Sequence, residues 1–123
     1  MMRRWWSVVA SLLVAAIFAQ AAFAGLMLSG AEWARSAHMA TAVGLIAATL
    51  ISGLVAAVAL RQVAQGVRFA LILLSLAVLV FAQTAIGKLS AEGGNLLWLH
   101  VPLGVALVGV AGQAVAAARR LGA

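Results

Sequence analysis

Residues 67–87 read VRFALILLSLAVLVFAQTAIG and contain one charged side chain, Arg68. An α-helix rises about 1.5 Å per residue, so a helix of this length spans about 30 Å, the thickness of the hydrocarbon core of a bilayer. Three further apolar segments of similar length lie at about 5–28, 37–60 and 96–118. The sequence therefore predicts four membrane-spanning helices.

The composition of the whole chain supports this assignment. Of 123 residues, 67% are hydrophobic and 8% are charged, and the mean hydropathy is +1.19. Soluble domains are about 45–50% apolar and about 25% charged, so the soluble and disordered classes are excluded. A chain without cysteine has no disulfide scaffold, thiolate metal site or cysteine nucleophile. We expect a single transmembrane domain over residues 1–123.

Short connections determine the predicted topology. The gaps at about 61–66 and 90–95 hold few residues, so neighbouring helices should run antiparallel in an all-α, up-down-up-down four-helix bundle. Ser29 and Glu32 have the spacing of a capping box, which predicts that the second helix begins near Gly30. Asn95 is the expected N-cap of the fourth helix.

The basic residues lie near the ends of the apolar segments rather than along one helix face, so the net charge of +6 does not indicate a nucleic-acid partner. Arg35 and Lys88 fall on one side of the predicted bundle, and six arginines fall on the other. This asymmetry predicts a multi-pass protein of the bacterial inner membrane with both termini in the cytoplasm. Tryptophans near the helix ends predict an interfacial aromatic belt. The six arginines are Arg3, Arg4, Arg61, Arg68, Arg119 and Arg120, and the tryptophans are Trp5, Trp6, Trp33 and Trp98.

The first segment also has features of a secretory signal peptide. Two arginines precede an apolar stretch that ends in Ala22-Phe23-Ala24, a small-x-small pattern before Gly25. An internal repeat favours a retained first helix, because its counterpart is a later helix that no signal peptidase would cleave.

The repeat divides the chain into two helical hairpins, at about 5–60 and 67–118. FAQAAFA at 18–24 recurs 63 residues later as FAQTAIG at 81–87. A histidine followed four residues later by a small residue also occurs twice, 62 residues apart. Repeats of two helices keep the same membrane orientation, so a pseudo-two-fold axis along the membrane normal should relate the hairpins.

His38 and His100, the only two histidines, occupy equivalent places in this repeat. The second and fourth helices of such a bundle are diagonal, so the two imidazoles should face each other in one layer with Gln20 and Gln83. Ionisable side chains within a membrane are costly and mark functional sites. Two neutral imidazoles on one axis match the axial ligands of haem b. The glutamines, or backbone carbonyls, are the expected partners of the second ring nitrogens.

Four other residues complete the predicted haem site. Ala42 and Gly104 lie one turn deeper on the histidine faces and should leave room for the macrocycle. Arg35 and Lys88 should neutralise the haem propionates.

Most of the chain resembles one half of the heme A synthase family, whose members are two fused four-helix bundles with histidines on the second and fourth helices of each. The resemblance rests on Gln20, on QTAIG at 83–87 and on the two histidine motifs. It implies the bundle fold and assigns haem ligation to His38 and His100. Two features depart from the family. This chain has one bundle, and where the family carries a carboxylate a few residues before its first histidine, Glu32 lies six residues before His38 and Arg35 stands nearer. The resemblance therefore does not carry over the hydroxylating activity. The chain is also similar to small bacterial four-helix membrane proteins with one histidine per hairpin.

Other functions stay open from sequence. The histidines could form interhelical hydrogen bonds in a non-catalytic subunit or assembly factor, line a quinone pocket or proton path, or bind another metal. A small multidrug transporter is disfavoured, because neither Glu32 nor Glu92 lies within a span. Expected partners are the lipid bilayer, a redox protein or larger complex, and a second copy packed through glycine and alanine faces. No acid–base or nucleophile constellation indicates a catalysed reaction.

Overall fold

A computed structural model describes residues 1–122, and its regular structure is entirely helical. All four helices are long and apolar enough to cross a membrane, which confirms that prediction. Three helices extend past the apolar segments that predicted them, because polar residues at their ends still form helical turns. The helices are α1 (Met2–Leu28), α2 (Glu32–Ala59), α3 (Gly66–Ala91) and α4 (Leu97–Ala118).

The capping predictions are wrong. The N-cap of α2 is Ala31, and the Ser29 hydroxyl instead donates to the Gly25 carbonyl at 2.9 Å. The N-cap of α4 is Leu96 rather than Asn95, and no side chain caps either helix. Backbone turns end the preceding helices here, through left-handed glycines that carry no Cβ penalty. The two glycines are Gly30 (φ +92°) and Gly93 (φ +102°).

The helices form a closed ring of contacts. Each helix packs against the next one in the chain, and α1 also packs against α4. Within residues 1–122 the backbones of α1 and α3, and those of α2 and α4, do not come into contact. The two helices that carry histidines are therefore diagonal to each other across the bundle.

The starts of α1 and α3 meet the ends of α2 and α4 at what we call the basic end, where the six arginines lie exposed. Trp6 and Phe69 pack edge to face there, with ring centroids 5.4 Å apart. The Gly122 N–H donates to the Ala64 carbonyl at 3.3 Å. Trp6 is thus buried in the core, not part of an interfacial belt, whereas the other three tryptophans are exposed.

The buried core runs from the basic end to about the middle of the bundle. Its last members on α1 and α3 are Ile17 and Val80, and Leu45 and Leu107 lie at its limit on α2 and α4. Among described residues beyond the core, at what we call the histidine end, only Ala34 and Ala42 are buried. The helices therefore pack less closely at that end.

Gly66 permits the close approach of α2 and α3 and provides a test of this packing. A Cβ at residue 66 would overlap the Leu60 carbonyl oxygen and approach the Leu60 Cβ to 2.7 Å. Because backbone atoms cannot move aside cheaply, we expect Gly66→Ala to lower the free energy of unfolding by about 1–3 kcal/mol. Thermal unfolding in mild detergent, followed by circular dichroism, measures this loss.

Gly109→Ala is the matched control, because no atom lies within 4 Å of a Cβ at that position. Equal thermal stability of the two variants would contradict the tight connection between α2 and α3.

Candidate functional site

Four half-buried polar side chains lie just beyond the core, one on each helix. Gln20 and Gln83 stand one turn past Ile17 and Val80, the last fully buried residues of α1 and α3. The two histidines stand on α2 and α4, which are diagonal across the bundle. We call these four residues the polar layer: Gln20, His38, Gln83 and His100.

His38 is held by the helix that precedes it in the chain. Its Nδ1 lies 3.1 Å from the Gln20 carbonyl oxygen. A carbonyl can only accept, so Nδ1 donates and carries the proton, which leaves the lone pair on Nε2. The partner of this ring nitrogen is thus the Gln20 backbone and not its side-chain amide.

His100 and Gln83 meet in the second hairpin through different atoms. The Gln83 Nε2 donates to the His100 carbonyl at 2.8 Å. The His100 Nδ1 is buried and has no hydrogen-bond partner. The repeat therefore brings equivalent residue pairs together in both hairpins but does not reproduce the same bonds.

Gly87 makes room for the His100 imidazole. A Cβ at residue 87 would stand 2.8 Å from the His100 Cε1 and 3.2 Å from its Nδ1. Sequence reasoning did not place Gly87 in the site. The repeat could have indicated this position, because Gly87 stands where the first hairpin has the larger residue Ala24.

The polar layer holds more hydrogen-bonding capacity than its own residues use. Buried atoms without a partner are the Gln20 Oε1, the Gln83 Oε1 and the His100 Nδ1, and the Ser90 Oγ lies further out on α3. A buried polar atom without a partner is costly and requires an explanation. Two of these atoms accept hydrogen bonds, and a ring nitrogen can donate one or bind a metal.

The other predicted site residues lie around this layer in different settings. Ala42, one turn after His38 on α2, is buried. Gly104 makes room for the Gln83 amide, because a Cβ there would stand 3.1 Å from the Gln83 Nε2. The space beside Gly104 is therefore filled by a protein side chain.

Arg35 and Lys88 are both exposed at the histidine end. The Lys88 Nζ stands 3.9 Å from the Glu92 carboxylate, in the i,i+4 relation. Both side chains of this pair are largely exposed, so the pair adds little stability. Lys88 thus already has an anionic neighbour, Glu92, at the end of α3. Neither Arg35 nor Lys88 forms a hydrogen bond with the polar layer.

Within residues 1–122 no group of three or more histidine, cysteine, aspartate or glutamate side chains comes together. In the described part of the chain, the polar layer thus combines two imidazoles with no carboxylate or thiolate beside them. No protein-family model, curated protein or solved structure matches the chain.

The two equivalent glutamines should differ in their effect on stability. We expect Gln83→Leu to lower the free energy of unfolding by about 0.5–1.5 kcal/mol, because the His100 carbonyl loses its donor. Gln20→Leu should leave stability unchanged or raise it, since it removes a buried acceptor that has no partner. Unfolding of both variants in mixed detergent micelles measures the difference. A loss of equal size in Gln20→Leu would contradict the unequal bonding of the two hairpins.

Proposed function

We propose that the protein is a small membrane b-type cytochrome that holds one haem between His38 and His100. The observation that carries this proposal is the polar layer, where the two histidines stand on diagonal helices among buried polar atoms without partners. Ionisable side chains inside a membrane bundle indicate a functional site by default, and buried polar atoms without partners require an explanation.

The hydrogen bonding around His38 and His100 is compatible with both imidazoles binding a haem iron. The Gln20 carbonyl fixes the His38 tautomer with its proton on Nδ1, which is how metal-ligating histidines are usually oriented. The His100 Nδ1 has no hydrogen-bond partner, so its ring is free to adopt either tautomer. His38 and His100 would hold the haem, which would supply one-electron transfer when bound.

Haem binding would require two side chains to reorient. The Gln83 amide fills the space beside Gly104, and the His100 ring fills the space beside Gly87. Both are polar side chains, and both are half-buried. Arg35 is the better propionate partner by charge, because Lys88 already stands near Glu92.

The proposal places the protein in the bacterial inner membrane with both termini in the cytoplasm. The exposed arginines of the basic end favour this orientation by the positive-inside rule. The two hairpins, related by a pseudo-two-fold axis, would then hold the haem near the opposite surface. A redox partner would approach from that side.

A second candidate function is a non-catalytic subunit or assembly factor of a larger membrane complex. Two contacts favour it, because the bond from His38 to the Gln20 carbonyl and the bond from Gln83 to the His100 carbonyl tie the helices of each hairpin together. Such bonds fix helix packing without any cofactor.

Spectra of the purified chain test the cytochrome proposal. After expression with ample haem, the wild type should give a sharp low-spin b-type reduced-minus-oxidised spectrum. His38→Ala and His100→Ala should each lose it, because each removes one axial ligand. Thr41→Val is the matched control and should keep the spectrum, since the Thr41 hydroxyl bonds only to the Ala37 carbonyl of its own helix. A folded, colourless wild type would overturn the proposal.

Glutamine substitutions separate the two candidate functions. Glutamine keeps a hydrogen-bonding side chain but is a poor haem ligand, so His38→Gln and His100→Gln should abolish the spectrum and preserve the fold. Pull-down from membranes then measures partner binding. A partner that is retained by both variants, together with a wild type that has no haem spectrum, would favour the subunit.

A further inference from the structure

A groove of about 210 Å³ opens between α3 and α4 at the basic end, on the opposite side of the protein from the polar layer. Gln65, Arg68 and Ile72 line one wall, and Gln113 and Arg120 line the other. On each wall these positions recur at helical spacing, so one face of each helix builds the groove.

Within residues 1–122, the charged side chains that line the groove are all basic. The lining includes two guanidinium groups and two amides but no carboxylate side chain. The two acidic residues of the chain, Glu32 and Glu92, lie at the histidine end. Within residues 1–122 neither Arg68 nor Arg120 has a carboxylate partner. Both guanidinium groups are therefore available to an external anion, and their planar donors match phosphate oxygens.

Polarity changes along the groove from its mouth to its depth. Arg68 and Arg120 stand at the ends of their helices, whereas Gln113 lies two turns further into α4, about 10 Å deeper. Its exposed amide interrupts an apolar helix, where a polar group without a partner is costly. Ile72 and two alanines make the rest of the deep wall apolar.

We propose that this groove binds the headgroup of an anionic phospholipid. The arginines would hold its phosphate at the mouth, the Gln113 amide would donate to an ester carbonyl below, and the apolar wall would contact the start of an acyl chain. Basic pockets between membrane helices are known to bind the headgroups of anionic lipids. The assignment does not depend on the proposed haem site, which lies at the other end.

Native mass spectrometry of the full chain in neutral detergent tests the assignment, with phosphatidylglycerol and phosphatidylcholine as probes. We expect phosphatidylglycerol to bind more tightly than phosphatidylcholine. Arg68→Gln and Arg120→Gln should each weaken phosphatidylglycerol binding about fivefold, the effect of about 1 kcal/mol per basic residue. Gln113→Leu should also weaken binding, although it leaves the net charge unchanged.

Arg119→Gln is the matched control, because Arg119 is exposed beside Arg120 but does not line the groove. We expect its phosphatidylglycerol binding to stay within twofold of wild type, and circular dichroism confirms that each variant is folded. An equal loss in Arg119→Gln, or equal binding of phosphatidylcholine, would overturn the assignment. Displacement of the lipid by millimolar inorganic phosphate would also overturn it, because the groove would then bind a soluble anion.

Discussion

Hydrocarbon offers no hydrogen-bond partner, and this constraint shapes the whole protein. Every backbone group within a span must be satisfied by its own helix, which explains four long helices joined by short turns. The same constraint makes any polar side chain inside the bundle costly unless another group meets it. The few polar side chains inside the bundle are therefore the best indicators of a functional site.

The protein uses its two ends differently. At the basic end, Trp6, Phe69 and Leu60 form a closely packed core that holds the four helices together. At the histidine end the packing loosens, and polar atoms without partners collect at one level. Stability and candidate function are thus separated along the helix axes. Sites that must rearrange around a ligand are drawn from the less stable parts of proteins.

Much of the fold could be predicted from the sequence, because it depends on local composition. Runs of apolar residues with the length of a bilayer predict helices irrespective of their neighbours. The sequence also indicated Gln20 and Gln83 as neighbours of the two histidines, and in the structure His38 lies beside Gln20 and His100 beside Gln83. These pairings follow from the register of each hairpin, which short turns fix.

The finer features could not be predicted, because they depend on how far each helix is rotated about its axis. The rotation of α1 about its axis places Trp6 in the core and leaves Trp5 exposed. Rotation also sets the His100 ring against Gly87, a contact between helices that no local pattern specifies. The N-cap predictions were wrong for another reason. Left-handed glycines end the preceding helices, and neither Ser29 nor Asn95 then caps the helix that follows.

We propose that two imidazoles of one chain hold one haem. Electron paramagnetic resonance of the oxidised protein, combined with iron and protein quantification, tests this ligation. We expect a low-spin ferric signal typical of two imidazole ligands, with one haem per chain. A high-spin signal, or a stoichiometry of one haem per two chains, would contradict it.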